Sequence, residues 1–514
     1  EPGEKVWSGA VKQGHLMPLR PPYRFDFYAN NDSNQLQPLL LGSRGLWVWS
    51  EEPFAFELTA DAVLVEDPAG AVKTGRHGTT LAEARRHAAA SFFPASGRMP
   101  DELLFRQPQY NTWIELTYDQ NQADVLKYAR AILANGFPPG VLMIDDTWQE
   151  DYGLWRFHPG RFPDPKAMVA ELHRMGFKVM VWICPFVSPD QFLLYDALRQ
   201  ERALLFEAPK GGGGWEEATE PAIVRWWNGA SAELDFTSPA AVSWFSAQLK
   251  RIAEEYGVDG FKFDAADMDF YPPWALSREK VTPNRHTEPF ALFGLDWPLN
   301  EYRAGWKMAG QPLAQRLHDK RHSWEDLGKL VPHMVATSLA GYTFSCPDLI
   351  GGGDFTSFLD RTALDQELVV RSAQTHALMP MMQFSVAPWR ILDARHLAAV
   401  KGAVALREAH AERILELARA SARTGEPIVA PLEYVFPREG LEGIRDQFML
   451  GEDVLVAPML ERGTARRVTL PKGEWVADDG RAYPGGATHE VEVPLDRLPV
   501  FRRVPAPAPA PGPR

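Results

Sequence analysis

The chain has 514 residues, 45 % hydrophobic and 24 % charged, an ordinary globular balance that excludes a disordered, collagen-like or low-complexity protein. Lys plus Arg number 54 and Asp plus Glu 67, for a net charge of −13, which argues against the basic face of a general nucleic-acid binder. Two cysteines, Cys184 and Cys346, cannot make a disulfide framework, and no run approaches the ~18 apolar residues a membrane span needs.

Residue 1 is Glu rather than Met. A removed signal peptide or a cloning boundary would both leave this start, and a secreted or periplasmic protein is the expectation. Residues 1–105 hold short alternating stretches, such as Gly45 to Trp49 and Ala55 to Leu58, divided by turns such as Asn30-Asn31-Asp32. They predict an antiparallel β-sandwich. From 106 to 423 strand-like and helical runs alternate. Strands are predicted at Tyr110–Leu116, Val141–Ile144, Phe177–Ile183 and Gly260–Phe263, and helices at Gln122–Ala134, Pro165–Met175 and Ala240–Tyr256. Repeated strand-then-helix units of this length predict a closed parallel (β/α)8 barrel, so the fold class is α/β. Leu-rich Gln191–Ala208 reads as a core helix, and Gly211–Gly214 as a mobile loop that could serve as a lid. Residues 424–503 return to short strands around Gly-rich turns, a C-terminal β-sandwich. Residues 504–514 alternate Pro and Ala, an extended tail outside the fold.

In a parallel barrel the chemistry sits on loops that follow the strands. Val141–Ile144 runs into Asp145, Asp146 and Trp148, and Gly260–Phe263 runs into Asp264 and Asp267. Ala314–Arg316 leads to Asp319, and Tyr342–Cys346 leads to Asp348. Trp182, Trp226, Trp227 and Trp324 lie on or near these loops. Any one such Asp could equally be a helix N-cap. Four such strand ends beside indoles suit a neutral polyhydroxylated ligand, because carboxylates accept from vicinal hydroxyls and indole faces cover sugar C–H groups. Two carboxyls flanking a glycosidic bond can cleave it, with a covalent intermediate when they stand about 5–5.5 Å apart.

The stretches Gly257 to Asp264, Phe162 to Met168, Gly176 to Trp182 and Leu234 to Pro239 resemble glycoside hydrolase family 31. So do Gln447 to Gly451, Val456-Ala457-Pro458 and Leu498 to Phe501. The resemblance covers most of the chain. It implies an N-terminal β-sandwich, a catalytic TIM barrel, a C-terminal β-sandwich and a retaining exo-acting α-glycosidase. It makes Asp264 the nucleophile and Asp319 the acid/base. Asp145 would hold sugar hydroxyls, with Lys262 beside the nucleophile, and Arg316 would contact the sugar from a loop shorter than usual, with Arg303 as its rival. Asp146, Trp148, Trp182, Cys184, Trp227, Cys346 and Asp348 complete the candidate substrate-binding set. The two cysteines read equally as small buried hydrophobes.

Pro347 stands where many family members carry a His that contacts a glucose-type sugar. Tyr110 to Leu116 and Asp145 to Gln149 look closer to a subgroup that includes animal myogenesis-regulating glycosidase and bacterial α-galactosidases. The expectation therefore leans to an α-galactoside, with an α-glucoside next. A sugar-binding scaffold that has lost catalysis is the distant alternative, which the presence of both Asp264 and Asp319 opposes. A Schiff-base or metal-dependent barrel enzyme is a third. Lys262 precedes Asp264 by two on one strand, so an ion pair is the simpler reading. The 13 histidines show no metal-binding spacing, and Gly351-Gly352-Gly353 lacks a P-loop's Lys-Ser/Thr, which favours a tight turn. No metal or cofactor is expected.

Overall fold

The structure, a computed structural model, describes residues 3–28, 34–360 and 364–505. The turn expected at Asn30 to Asp32 and the tail from residue 506 lie outside the described residues.

The N-terminal region forms two antiparallel sheets. One orders Val6–Ala10, Gln35–Gly42, Leu46–Trp49 and Lys73–Arg76; the other orders Tyr23–Asp26, Ala55–Leu58 and Val63–Glu66. A helix, Leu81–Phe92, follows them, where only β structure was expected. Its start is encoded locally: Thr80 Oγ1 accepts from Glu83 N, and the Glu83 carboxylate takes Thr79 N–H. The first sheet does not end at its own edge. Gly305–Trp306, from the barrel region, pairs in parallel with Gln35–Leu36.

The barrel strands are β1 (Gln109–Asn111), β2 (Val141–Ile144), β3 (Lys178–Ile183), β4 (Gly260–Phe263), β5 (Leu299–Tyr302), β6 (Gln315–Arg316), β7 (Ser345–Cys346) and β8 (Gln383–Phe384). They neighbour one another in chain order, all parallel, and β8 pairs back to β1. Across the remaining seam Ile350 N–H donates to Gln383 O over 2.9 Å, so the barrel is nearly closed. β2, β4 and β5 are buried along their whole length, as strands wrapped by helices must be. Gly260 is required by packing, because a Cβ there would lie 2.0 Å from Leu299 O. Helices Gln122–Ala134, Pro165–Arg174 and Pro239–Tyr256 surround the barrel. Asn121 and Asp164 cap the first two by accepting from the N–H three residues on.

Two expectations are corrected. The strand at Tyr110 stops at Asn111, and Trp113–Leu116 is a helical turn. Asn111 Oδ1 accepts Trp113 N–H over 2.7 Å, which turns the chain out of the ladder. The Leu-rich segment is helical only over Phe192–Gln200 and packs through Leu194 and Leu198, leaving Phe192 and Leu193 exposed.

The C-terminal region holds a sheet that includes Phe448–Leu450, Val454–Val456, Glu474–Ala477 and Val500–Arg503, beside the pair Ala465–Leu470 and Ala487–Glu492. Buried Arg371 from a barrel helix joins it to the barrel, donating to Val493 O and Gly463 O. Val504 N–H donates to Glu474 O. Among the described residues no helix is long and apolar enough to cross a membrane.

Candidate active site

The chain leaves β4 at Asp264 and immediately turns. Ala265 and Ala266 both take left-handed conformations, with φ of 56° and 54°, which non-glycine residues adopt only where the surroundings enforce it. Asp264 Oδ1 accepts the Ala265 N–H and Oδ2 accepts the indole N–H of Trp182, on neighbouring β3, over 2.7 Å. Lys262 stands two residues back on the same side of β4, 3.7 Å from Asp264 Oδ2 and 2.8 Å from Asp145 Oδ2. Arg303, just past β5, lies 3.9 Å from Asp264 Oδ1 and 2.9 Å from Asp267. Burial alone would push the Asp264 carboxyl up. Lys262, Arg303 and Arg316 outweigh it and hold the group at about 2.

Asp145 is fixed by Asn111 at 2.7 Å and by Lys262. Its neighbour Asp146 accepts from Asn228, Tyr152, Gln149 and Thr147 N–H. Burial still pushes Asp146 up to about 7, with the charge of Asp145 adding to the rise. Arg316 comes from β6 itself rather than from a loop, which corrects the expected placement. It reaches Glu301 with Nε, and Asp319 with Nη1 over 2.7 Å. Asp319 is the most open of these carboxylates, its side chain 34 % exposed against 9 % for Asp264.

Asp145, Asp146, Trp182, Trp227, Lys262, Asp264, Arg316 and Asp319 line one cavity of about 470 Å3 at the C-terminal end of the barrel. Arg303 lines it too, so the two rival arginines share it. Trp227, half exposed, carries the Arg303 guanidinium 4.9 Å from its ring centre. Four candidates are not in the lining. Trp148 is fully buried and props Trp182 by donating its N–H to the Trp182 carbonyl. Cys184 and Cys346 are buried and not in the lining, and burial pushes both thiols up. Asp348 is fully buried, and its Oδ1 accepts from Arg316 Nη1 over 3.2 Å. Gly211–Gly214 does not line the cavity either.

The sequence reading omitted Trp113, His318, Arg321, Asp326, Gly353, Asp354 and Phe355, which also face the cavity, and gave Arg303 only as a rival. Arg303 follows a strand directly, the same signal that found Asp145 and Asp264. That strand went unseen because Asn300 and Glu301 interrupt its apolar run.

Residues 107–409 match the glycosyl hydrolases family 31 TIM-barrel domain, and residues 425–505 the glycosyl hydrolase family 31 C-terminal domain. The chain belongs to glycoside hydrolase family 31. The mouse (Mus musculus) myogenesis-regulating glycosidase is 35 % identical over 441 residues, 82 % of this chain and 59 % of that protein. Alpha-glucosidase 2 of Bacillus thermoamyloliquefaciens is 25 % identical over 444 residues, 79 % of this chain and 53 % of that protein. The chain thus spans between half and three fifths of these relatives' length. Among solved structures, the Flavobacterium johnsoniae GH31 dextranase complexed with glucose superposes with a TM-score of 0.86 at 19 % identity, over 98 % of this chain and 65 % of that one. A GH31 alpha-xylosidase from a soil metagenome complexed with xylose gives 0.82 at 22 %, over 98 % and 78 %. Both are likenesses of fold, and with the family match they bear out the TIM-barrel reading.

Proposed function

We propose that this family 31 chain is a retaining exo-acting α-glycosidase that removes terminal α-linked hexoses. The reading rests on one observation: an ionised, rigidly held Asp264 and an open Asp319 face the same sugar-sized cavity. Asp264 Oδ attacks the anomeric carbon while protonated Asp319 gives its proton to the departing glycosidic oxygen. Asp319 then takes a proton from water, whose oxygen displaces Asp264 from the anomeric carbon. Trp182, Lys262 and Arg303 keep Asp264 charged and aimed. Asp145, fixed by Asn111 and Lys262, accepts from sugar hydroxyls, and the buried floor it forms with Lys262 suits a chain end. Trp227 offers its ring to the apolar side of a pyranose. No step calls for a metal or cofactor.

For the sugar we favour galactose. Pro347 offers no side-chain donor and is not in the cavity lining, so it does not supply the glucose-type contact that the resemblance implies for a His at this place. One absent hydrogen bond is worth roughly 1–3 kcal/mol, about tenfold or more in rate. Glucose is the second reading, because two relatives carry alpha-glucosidase in their names. Rates on p-nitrophenyl α-galactoside and α-glucoside from one preparation decide between them. A kcat/KM at least about tenfold higher for the galactoside is expected. Equal rates or a preference for the glucoside reject galactose, and no turnover of any aryl α-glycoside rejects the enzyme reading.

A further inference from the structure

Asp348 is fully buried and lies outside the cavity, yet its contacts converge on the segment that carries Asp319. Its Oδ2 accepts the N–H of Lys320, the residue after Asp319, over 2.9 Å, and the N–H of Gly353 over 3.1 Å. Its Oδ1 accepts from Arg316 Nη1 over 3.2 Å, the same nitrogen that donates to Asp319 at 2.7 Å. The buried Lys320 ammonium closes the arrangement by donating to the carbonyls of His318 and Pro347. The 317–320 segment is thereby fastened on both sides to the turn 347–353. The space is filled to the limit, since a Cβ on Gly353 would lie 2.6 Å from Asp319 Oδ1 and 2.6 Å from Asp348 Oδ1. Burial pushes the Asp348 carboxyl up, with Lys320 and Arg316 opposing the rise and Asp319 adding to it.

We infer that Asp348 is a positioning residue for the acid/base, a buried clamp that sets where Asp319 stands rather than a contact to the sugar. The inference rests on the role of Asp319 proposed above. A clamp of this kind matters where leaving-group protonation matters. Its loss should spare substrates whose leaving group departs without a proton and harm those that need one.

The test compares kcat/KM for p-nitrophenyl and methyl α-glycosides of the preferred sugar, together with deuterium uptake by the 317–322 peptide. In Asp348→Ala, the methyl glycoside should lose at least about tenfold more than the nitrophenyl one, and the peptide should exchange faster. Asp348→Asn should recover part of the loss, because its amide oxygen can still take both N–H groups while the bond from Arg316 is lost. Asp348→Asn also serves if Asp348→Ala does not fold, and should show the same leaving-group pattern more weakly, since it loses only the bond from Arg316. Equal losses on both substrates, no loss, or unchanged exchange in 317–322 would overturn the clamp. Faster exchange in a protein whose wild type cleaves no glycoside would uphold the clamp and sink the glycosidase reading instead.

Discussion

Trp182 donates its indole N–H to Asp264 Oδ2 over 2.7 Å, from the strand beside the one Asp264 terminates. The bond favours the charged carboxylate and fixes its plane. Trp182→Phe keeps the ring and removes the donor. The acid limb of kcat/KM, which belongs to Asp264 in this account, should then move to higher pH, and kcat/KM should fall by about tenfold at its plateau. The pH–rate profile of the variant checks this.

Arg316 and Arg303 face one cavity but carry different loads. Arg316 joins Glu301, Asp319 and Asp348, and its side chain is 5 % exposed. Removing it strands two buried carboxylates, so Arg316→Ala should cost about 3–5 kcal/mol of stability. Arg303 is more open and pairs with Asp267, which keeps its bond from Asn34 of the N-terminal sheet region. Arg303→Ala should therefore unfold closer to wild type in urea, yet lose about 100-fold or more in kcat/KM. Equal destabilisation by the two would contradict the division.

Asp146 and Asp267 are pushed by burial to about 7 and about 6, from an ordinary 3.8. An acid raised in the folded state contributes stability below its unfolded value and loses that contribution as pH climbs through the folded one. The site should therefore weaken the protein between about pH 4 and pH 7. Melting temperatures at pH 4.5 and 7.5 should differ less for Asp146→Asn than for wild type. An equal difference would show that Asp146 does not titrate as its burial implies.

Asp319→Ala should cut turnover of methyl glycosides far more than of nitrophenyl glycosides in kcat/KM. Added azide should restore turnover and yield a glycosyl azide of retained α configuration. An azide product of inverted configuration, or no rescue, would remove Asp319 from the acid/base role.

Much of this arrangement is legible in the sequence because the barrel writes its strands plainly. Val141–Ile144 and Gly260–Phe263 are short apolar runs ending in carboxylates, and the helices at Gln122 and Pro239 carry their own start signals. The unread parts depend on distant partners. β5 hides because Asn300 and Glu301 are satisfied by remote groups, Ala314 N–H for one and Arg316 with Gln383 for the other. Whether a strand-end residue faces the cavity or backs it is also not written locally. Cys184 and Trp148 follow strands as Asp145 does, yet both are buried and neither is in the lining. Asp348 belongs with them, since only the fold brings it to the Asp319 segment.

The central claim is that Asp264 forms a bond to the sugar. Incubation with a 5-fluoro α-glycosyl fluoride of the preferred sugar, then mass spectrometry of the digested protein, tests it most directly. The account predicts one added fluoroglycosyl residue, on the peptide that contains Asp264, and none in Asp264→Ala. Label on another residue, or first-formed product of β configuration from the untreated enzyme, would contradict it.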